Sequence, residues 1–248
     1  MPFCVLLKSL DVPEVDKLTL AFDDVPHLTK YDAKFQVRNA CGIVGQHLSQ
    51  EQARSLSTAL ARQEVPSIIV DHADLFELPP PRKLKRAACT RRCFEPKNAL
   101  EQTQPVAWPH VLVLCAGMVP VEDVERHSRL EPVSGAESDC GFRQVTDVTT
   151  KHGDVCRLEI VLEVEPFRYQ VKARDFLYES RDVTQGGDRR DHFRQLIRDM
   201  VAHAPDAVRN RGVVAITEDE TKFVAYRSGA IFEREIVWLL WRHSHPMN

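Results

Sequence analysis

Six positive charges crowd into eleven residues of this chain: Arg82, Lys83, Lys85, Arg86, Arg91 and Arg92. Guanidinium and ammonium groups at that density can neutralise phosphates, because each contact releases counterions condensed on a polyanion. A solvated connector that resists aggregation is the ordinary alternative, and the run holds no aromatic side chain to stack a base. Cys89 stands inside it and Cys93 directly follows Arg92. Thiolates beside arginine have a lowered pKa, which favours metal ligation and oxidation. Zinc knuckles, however, space their cysteines by two residues and draw on a second pair that is missing here. His243 and His245 are nitrogens such a site could recruit; two ordinary thiols are the alternative.

His152, Asp154 and Cys156 alternate, so an extended chain sets all three on one face. A thiol with a histidine base and an acidic orienter is the arrangement of nucleophilic catalysis. Triads, though, draw their members from distant elements, and residues 151–154 equally read as a surface turn. Arg189 and Arg190 open a helix whose free amides could hold an anion, with Asp188 as its cap. The chain has no Gly-rich phosphate loop, Gly-x-Gly-x-x-Gly, His-Glu-x-x-His or Gly-x-Ser-x-Gly. No cofactor is therefore expected, and a thiol- or metal-dependent enzyme is the third reading behind two binding functions.

The elements that must position these residues follow from the pattern of the 248-residue chain. Lys and Arg total 33 against 36 Asp and Glu, and 43% of residues are hydrophobic, a balance that excludes wholesale disorder. The longest apolar stretches, such as that from Val111 to Met118, fall far short of the ~20 residues a spanning helix needs, so no membrane role is expected. Residues 1–8 lack the basic start of a secretory signal. The seven scattered cysteines suit reduced thiols in a bacterial cytoplasm.

Phe3 to Leu7 is an apolar run suited to a buried strand. Asp11 and Pro13 lead into a helix with Val15, Leu18 and Phe22 on one face, and a second helix is expected from Thr29 through Val37. Residues 42–44 form a second strand. Ser49 and Gln52 make a capping box for a helix whose Ala53, Leu56, Ala59 and Leu60 share a stripe. Pro66 precedes a third strand at Ile68 to Val70.

The run from Leu28 through Ala33 and Lys34, the strand at 42–48, and Ser49 with its stripe resemble the C-terminal domain of the bacterial ribosomal stalk protein. The similarity runs without gaps from about Pro26 to Val70, and Phe3 to Leu7 fits the family's first strand. The resemblance implies a sandwich of three helices against a three-stranded antiparallel sheet, a fold shared with the Clp-protease adaptor. In that family the helix pair carries glycines and lysines that receive translational GTPases. Here His27 and Thr29 stand at glycine positions, Tyr31 at a lysine position, and Leu20 and Asp23 near basic ones. Only Lys34 lands on a family lysine. The electropositive docking face is mostly absent, which argues against a stalk-like role. Leu20, Asp23, His27, Tyr31 and Lys34 remain as the candidate surface for another protein partner.

Further along, residues 111–115 read as a buried strand. Residues 158–164 and 167–173 alternate about Pro166 as a hairpin with one wet face. A helix follows Asp188, carrying Phe193, Ile197 and Met200. Strands are expected at 213–216 and 223–226, then a helix at 232–241 with Trp238 and Trp241 in the core. This half loosely suggests a pleckstrin-homology-like module. The Pro79-Pro80-Pro81 run and the basic cluster place a linker at 78–105 between units 1–77 and 106–248. The sequence thus predicts an α+β protein. Its first functional reading is a non-catalytic protein-binding or regulatory module of the cytoplasm; the second is a nucleic-acid-associated protein using the basic linker.

Overall fold

A computed structural model describes residues 1–9, 13–25, 37, 41–97, 102–132, 142–165, 167–178 and 188–246; at 122–127, 130–132, 142–143 and 148–152 it describes the backbone alone. The chain is α+β. Strand β1 (Phe3–Leu7) lies between β2 (Ile43–Leu48) and β3 (Ser67–Asp71), antiparallel to both. Its apolar run has two destinations. Val5 and Leu7 pack with Leu18 and Phe22 of α1 (Val15–Asp23) and with Leu56 and Leu60 of α2 (Gln50–Arg62). Cys4 and Leu6 face the opposite way, into a second core. A strand buried on both faces reads as a continuous apolar run, as this one does.

The capping box forms as the spacing requires: Ser49 Oγ accepts from Gln52 N at 3.1 Å, and Ser49 N donates to Gln52 Oε1 at 2.9 Å. The predicted stripe is buried throughout. Of the helix expected after Thr29, only Val37 lies among the described residues, in helical conformation and buried.

The second sheet has the order β11-β8-β9-β10-β4. Its centre is antiparallel, β8 (Val111–Pro132) against β9 (Phe142–Leu162) and β9 against β10 (Arg168–Lys172). Both edges are parallel, with β4 (Arg82–Lys83) on β10 and β11 (Val208–Arg209) on β8. Helix α3 (Arg189–His203) covers one face with Phe193, Ile197 and Met200. Residues 213–216, expected as a strand, are helical: α4 (Arg211–Thr217) starts at Asn210, whose side chain accepts from Val213 N. The apolar quartet carries no alternation to oppose a helix, and the cap decides it. Of the strand expected at 223–226, Ala225 makes a single bridge to Met118.

Helix α5 (Gly229–Ser244) changes the expected division into two units. It buries Phe232, Ile236, Trp238 and Trp241 in one cluster with Cys4, Leu6, Ile43 and Val70 from the first sheet and Val113, Cys115 and Val161 from the second. Trp238 Nε1 donates to Leu7 O at 2.9 Å, and its ring lies over Gly42, where a Cβ would come within 2.3 Å. Gly42 also has φ +75°, a conformation that excludes most side chains. The halves therefore share a core. Periodicity could not show this, because an apolar face does not announce which sheet it meets.

The expected linker is likewise structured. β5 (Arg86–Cys89) and β6 (Cys93–Lys97) form a hairpin, extended by β7 (Val106–Ala107), with Phe94 fully buried against Trp108 and Tyr169. Isolated apolar residues in polar surroundings, Leu84, Ala87 and Phe94, carry this packing, and a windowed reading passes over them.

Candidate functional site

The basic segment is held from both ends. Arg168 Nη1 donates to Pro79 O at 3.2 Å, fixing the start of the proline run. That run delivers the chain to β4, where Arg82 lies beside Tyr169 and Lys83 beside Gln170. Leu84 N then donates to Gln170 O at 2.8 Å, and Leu177 N to Lys85 O at 2.8 Å. Leu84 is buried while Arg82 and Lys83 stay exposed, so apolar anchoring sets the direction of the charges.

Across from β4, the end of β6 brings up Lys97, which is bridged to Thr103; Gln104 N donates to Pro96 O at 3.4 Å. Between them opens a cleft of about 350 Å³ lined by Arg82, Lys83, Lys97, Gln102, Thr103, Gln104 and Tyr169, over Leu84 and Pro96. Three cations, a phenol, a hydroxyl and two side-chain amides converge there, and among the described residues no carboxylate lines it. Burial pushes the Tyr169 phenol up despite the charge and hydrogen bond of Arg82, so it stays a neutral hydroxyl. The arrangement suits an anion: fixed positive charge over a partly apolar floor, with neutral groups to complete the hydrogen bonds.

The structure divides the six predicted basic residues. Arg82 and Lys83 join Lys97 in the cleft. Lys85 is exposed beside it, and Arg86 begins β5, directly opposite Lys97. Arg91 and Arg92 are exposed at the far turn of the hairpin, which Thr90 N closes on Cys93 O at 3.1 Å. Nothing local in the sequence marks Lys97, Tyr169 or Gln102 to Gln104 as site residues, because a strand end becomes a wall only through the fold.

Cys89 reverses the expectation attached to it. Burial pushes Cys89 up to about 12, with Asp199 adding to the shift; the neighbouring arginines do not make it a thiolate. Cys93 Sγ contacts Glu95 Oε1 at 3.5 Å. Among the described residues no group of three His, Cys, Asp or Glu could hold a metal ion. His243 is exposed, and His245 stacks on Trp241. Of the His152, Asp154, Cys156 series, Asp154 is exposed while Cys156 is buried, its thiol pushed up by burial; the His152 side chain lies outside the described residues. Asp188 takes the N-cap position of α3 without a side-chain bond, and Arg189 donates to Arg174 O. Leu20 and Asp23 are exposed on α1, Leu20 by 54%; His27, Tyr31 and Lys34 lie outside the described residues.

Behind the cleft, the face of β9 and β10 expected to be wet is buried at Glu159 and Val161, and exposed only beyond the end of β9, at Glu163 and Glu165. Glu159, wholly inaccessible, accepts from Arg157 Nε and from Gln170 Nε2 (2.9 Å) on one oxygen, and from Arg168 Nε (2.8 Å) on the other. Arg157 and Arg168 also converge on Glu233 Oε1 of α5, at 3.0 and 2.7 Å. Those two arginines lower Glu233 against the effect of its burial. The network balances two cations with two anions, and it aims Arg168 at Pro79. Alternating charged residues read as solvent-facing because the helix that covers them comes some 70 residues later in the chain.

A second polar cluster lies under α5. Tyr226 donates to Glu235 Oε2 at 2.5 Å, and Arg211 Nη2 contacts Cys41 Sγ at 2.9 Å. Arg211 Nε, 3.7 Å from Glu235 Oε2, is buried without a hydrogen-bond partner. Burial raises Glu235, and pushes Cys41 up to about 11 despite Arg211.

No protein-family model matches the chain, and no curated protein or solved structure is similar enough to count as a relative.

Proposed function

We propose that this chain is a non-catalytic binding or regulatory module of the bacterial cytoplasm, and that it captures an acidic or phosphorylated segment of a protein partner in the cleft between β4 and β6. One observation carries the reading: Arg82, Lys83 and Lys97 are fixed around a cleft that no carboxylate lines among the described residues. The network behind it supports the same reading, because a pinned proline run presents the cations without an ordering cost on binding. Six free thiols among the described residues fit a reducing compartment, and burial keeps Cys41 and Cys89 protonated rather than nucleophilic. The three-stranded antiparallel sheet with α1 and α2 on one face supports the stalk-like reading of residues 1–77.

The test is binding of a labelled Asp/Glu-rich peptide and its phosphoserine counterpart to the full chain, by fluorescence anisotropy. Lys83→Glu with Lys97→Glu should weaken binding by at least about tenfold. Equal binding by the wild type and the double variant removes the cleft from consideration. The nucleic-acid reading draws on the exposed positive charge of Lys85, Arg91 and Arg92 beyond the cleft. A single-stranded RNA bound with a steep salt dependence, lost on changing Arg91 and Arg92 but not Lys97, would favour it. Tyr169, buried in the cleft wall, offers no stacking platform for a base.

A further inference from the structure

Arg82, Lys83 and Leu84 follow one another in the chain, and all three line the cleft. Successive side chains of a strand point to opposite faces. A cavity that meets three in a row therefore runs along the edge of β4, where it meets backbone as well as side chains. Among the described residues β4 is the edge strand of its sheet.

The register shows which backbone groups face outward. Arg82 lies beside Tyr169 and Lys83 beside Gln170 in a parallel ladder, and Leu84 N donates to Gln170 O at 2.8 Å. In such a ladder alternate residues of a strand bond to the same neighbour. Arg82 and Leu84 thus turn their backbone to β10, and Lys83 turns its N–H and C=O the other way, where no described strand takes them. The open edge is short. Pro81 has no N–H to offer on one side, and Lys85 O is taken by Leu177 N on the other. A donor and an acceptor on one residue are what an incoming extended chain uses to add itself to a sheet edge.

Charge decides what kind of chain fits. In an antiparallel pair, the stronger of the two arrangements, a residue directly opposite Lys83 exchanges both bonds with it. That residue shares the face of the Lys83 side chain, so its two neighbours project onto the other face, that of Arg82. Lys97 stands across the cleft from there. Acidic side chains at those two neighbouring positions, one residue apart from each other in the middle, meet both cations.

We infer that the partner segment adds to the edge of β4 as a short antiparallel strand, pairing its backbone with Lys83 and setting acidic side chains at alternate positions against Arg82 and Lys97. Such pairing rests on the reading of the cleft as an anion site, and adds to it a spacing and a backbone requirement.

Fluorescence anisotropy with the full chain compares three labelled peptides of equal charge, in which two Glu flank one Ala, stand adjacent, or flank two Ala, all between Gly and Ser residues. Glu-Ala-Glu should bind at least about fivefold more tightly than the other two. Methylating the Ala nitrogen removes the donor to Lys83 O and should cost about tenfold, whereas methylating the second Glu nitrogen should cost less than about twofold. Lys83→Pro deletes the outward N–H and spares the ladder, since an edge strand tolerates proline where its N–H faces outward. It should weaken binding about fivefold beyond Lys83→Ala, which removes the charge alone. The peptide comparisons decide the matter whether or not the proline variant folds. Equal binding by the three spacings, or an Ala methyl without effect, overturns strand addition. If that equal binding is lost in the Lys83→Glu, Lys97→Glu variant, the anion cleft stands without it; no binding by any peptide removes both.

Discussion

Asn210 and Ala116, 94 residues apart, are bonded twice through one side chain: Asn210 Oδ1 accepts from Ala116 N at 2.9 Å, and Nδ2 donates to Ala116 O at 3.0 Å. The amide side chain acts as one rung of a strand that is not there. The same Oδ1 caps α4 through Val213 N, and Nδ2 also reaches the Tyr226 hydroxyl at 2.9 Å. Gly212 follows because a Cβ there would lie 1.8 Å from Ala116 O. Replacing Asn210 with Ala strands the Ala116 pair in a buried site and removes the cap. The expected loss is about 2–4 kcal/mol, read from the shift of the urea midpoint at unchanged slope.

Glu159→Gln should be among the costliest single changes, about 3–5 kcal/mol, because it leaves Arg157 and Arg168 in the interior with half their counter-charge. Adding Arg168→Met should recover part of that loss. Strict additivity of the two changes, measured by a double-mutant cycle, would contradict the network as described.

The two carboxyl groups of α5 give opposite pH signatures. Burial raises Glu235 above its ordinary value of 4.5 in the folded chain, so its proton is held more tightly there. Stability linked to it is complete below that ordinary value and is lost as pH rises through the raised one. Glu233 is lowered by Arg168 and Arg157, so its contribution is complete above 4.5 and is lost as pH falls through the lowered value. Urea midpoints between about pH 3 and 8 should therefore show Glu235→Gln gaining on the wild type as pH rises, and Glu233→Gln gaining as pH falls. Parallel curves would refute both assignments.

Alkylation at about pH 8 reads the thiols directly, since only thiolate reacts. Cys41 and Cys115 should stay unlabelled in the folded chain, and Cys89 should lag Cys93 although both are half-buried. Peptide mass mapping before and after urea resolves each one. Labelling of Cys89 at the rate of an unhindered thiol would restore the expectation of an activated cysteine.

What the sequence makes legible is local. The Ser49 box, the stripe from Ala53 to Leu60, the run at Phe3 and the helix after Asp188 all follow from spacing within a dozen residues. The misreadings share a cause at longer range. Glu159 reads as solvated because Glu233 and Phe232, which meet its partners Arg157 and Arg168, belong to a distant helix, and the basic run reads as a linker because Leu84 and Phe94 find their neighbours far away. The cleft was half legible. Arg82 and Lys83 were visible as charge, whereas Lys97 and Tyr169 become neighbours only when β4 docks on β10 and the hairpin folds back.

The bond from Trp238 to Leu7 spans 231 residues. Loop-closure entropy must be met before such a contact rewards the chain, so a fold whose first strand is sealed by α5 gathers its native contacts late and slowly. Until that helix docks, Cys4, Leu6 and Ile43 lie open on the first sheet, and Val113 and Val161 on the second. The interval before docking is thus the time at which this chain is most exposed to aggregation and proteolysis, and the tenure of Trp238 over Gly42 sets how often the native protein returns to it.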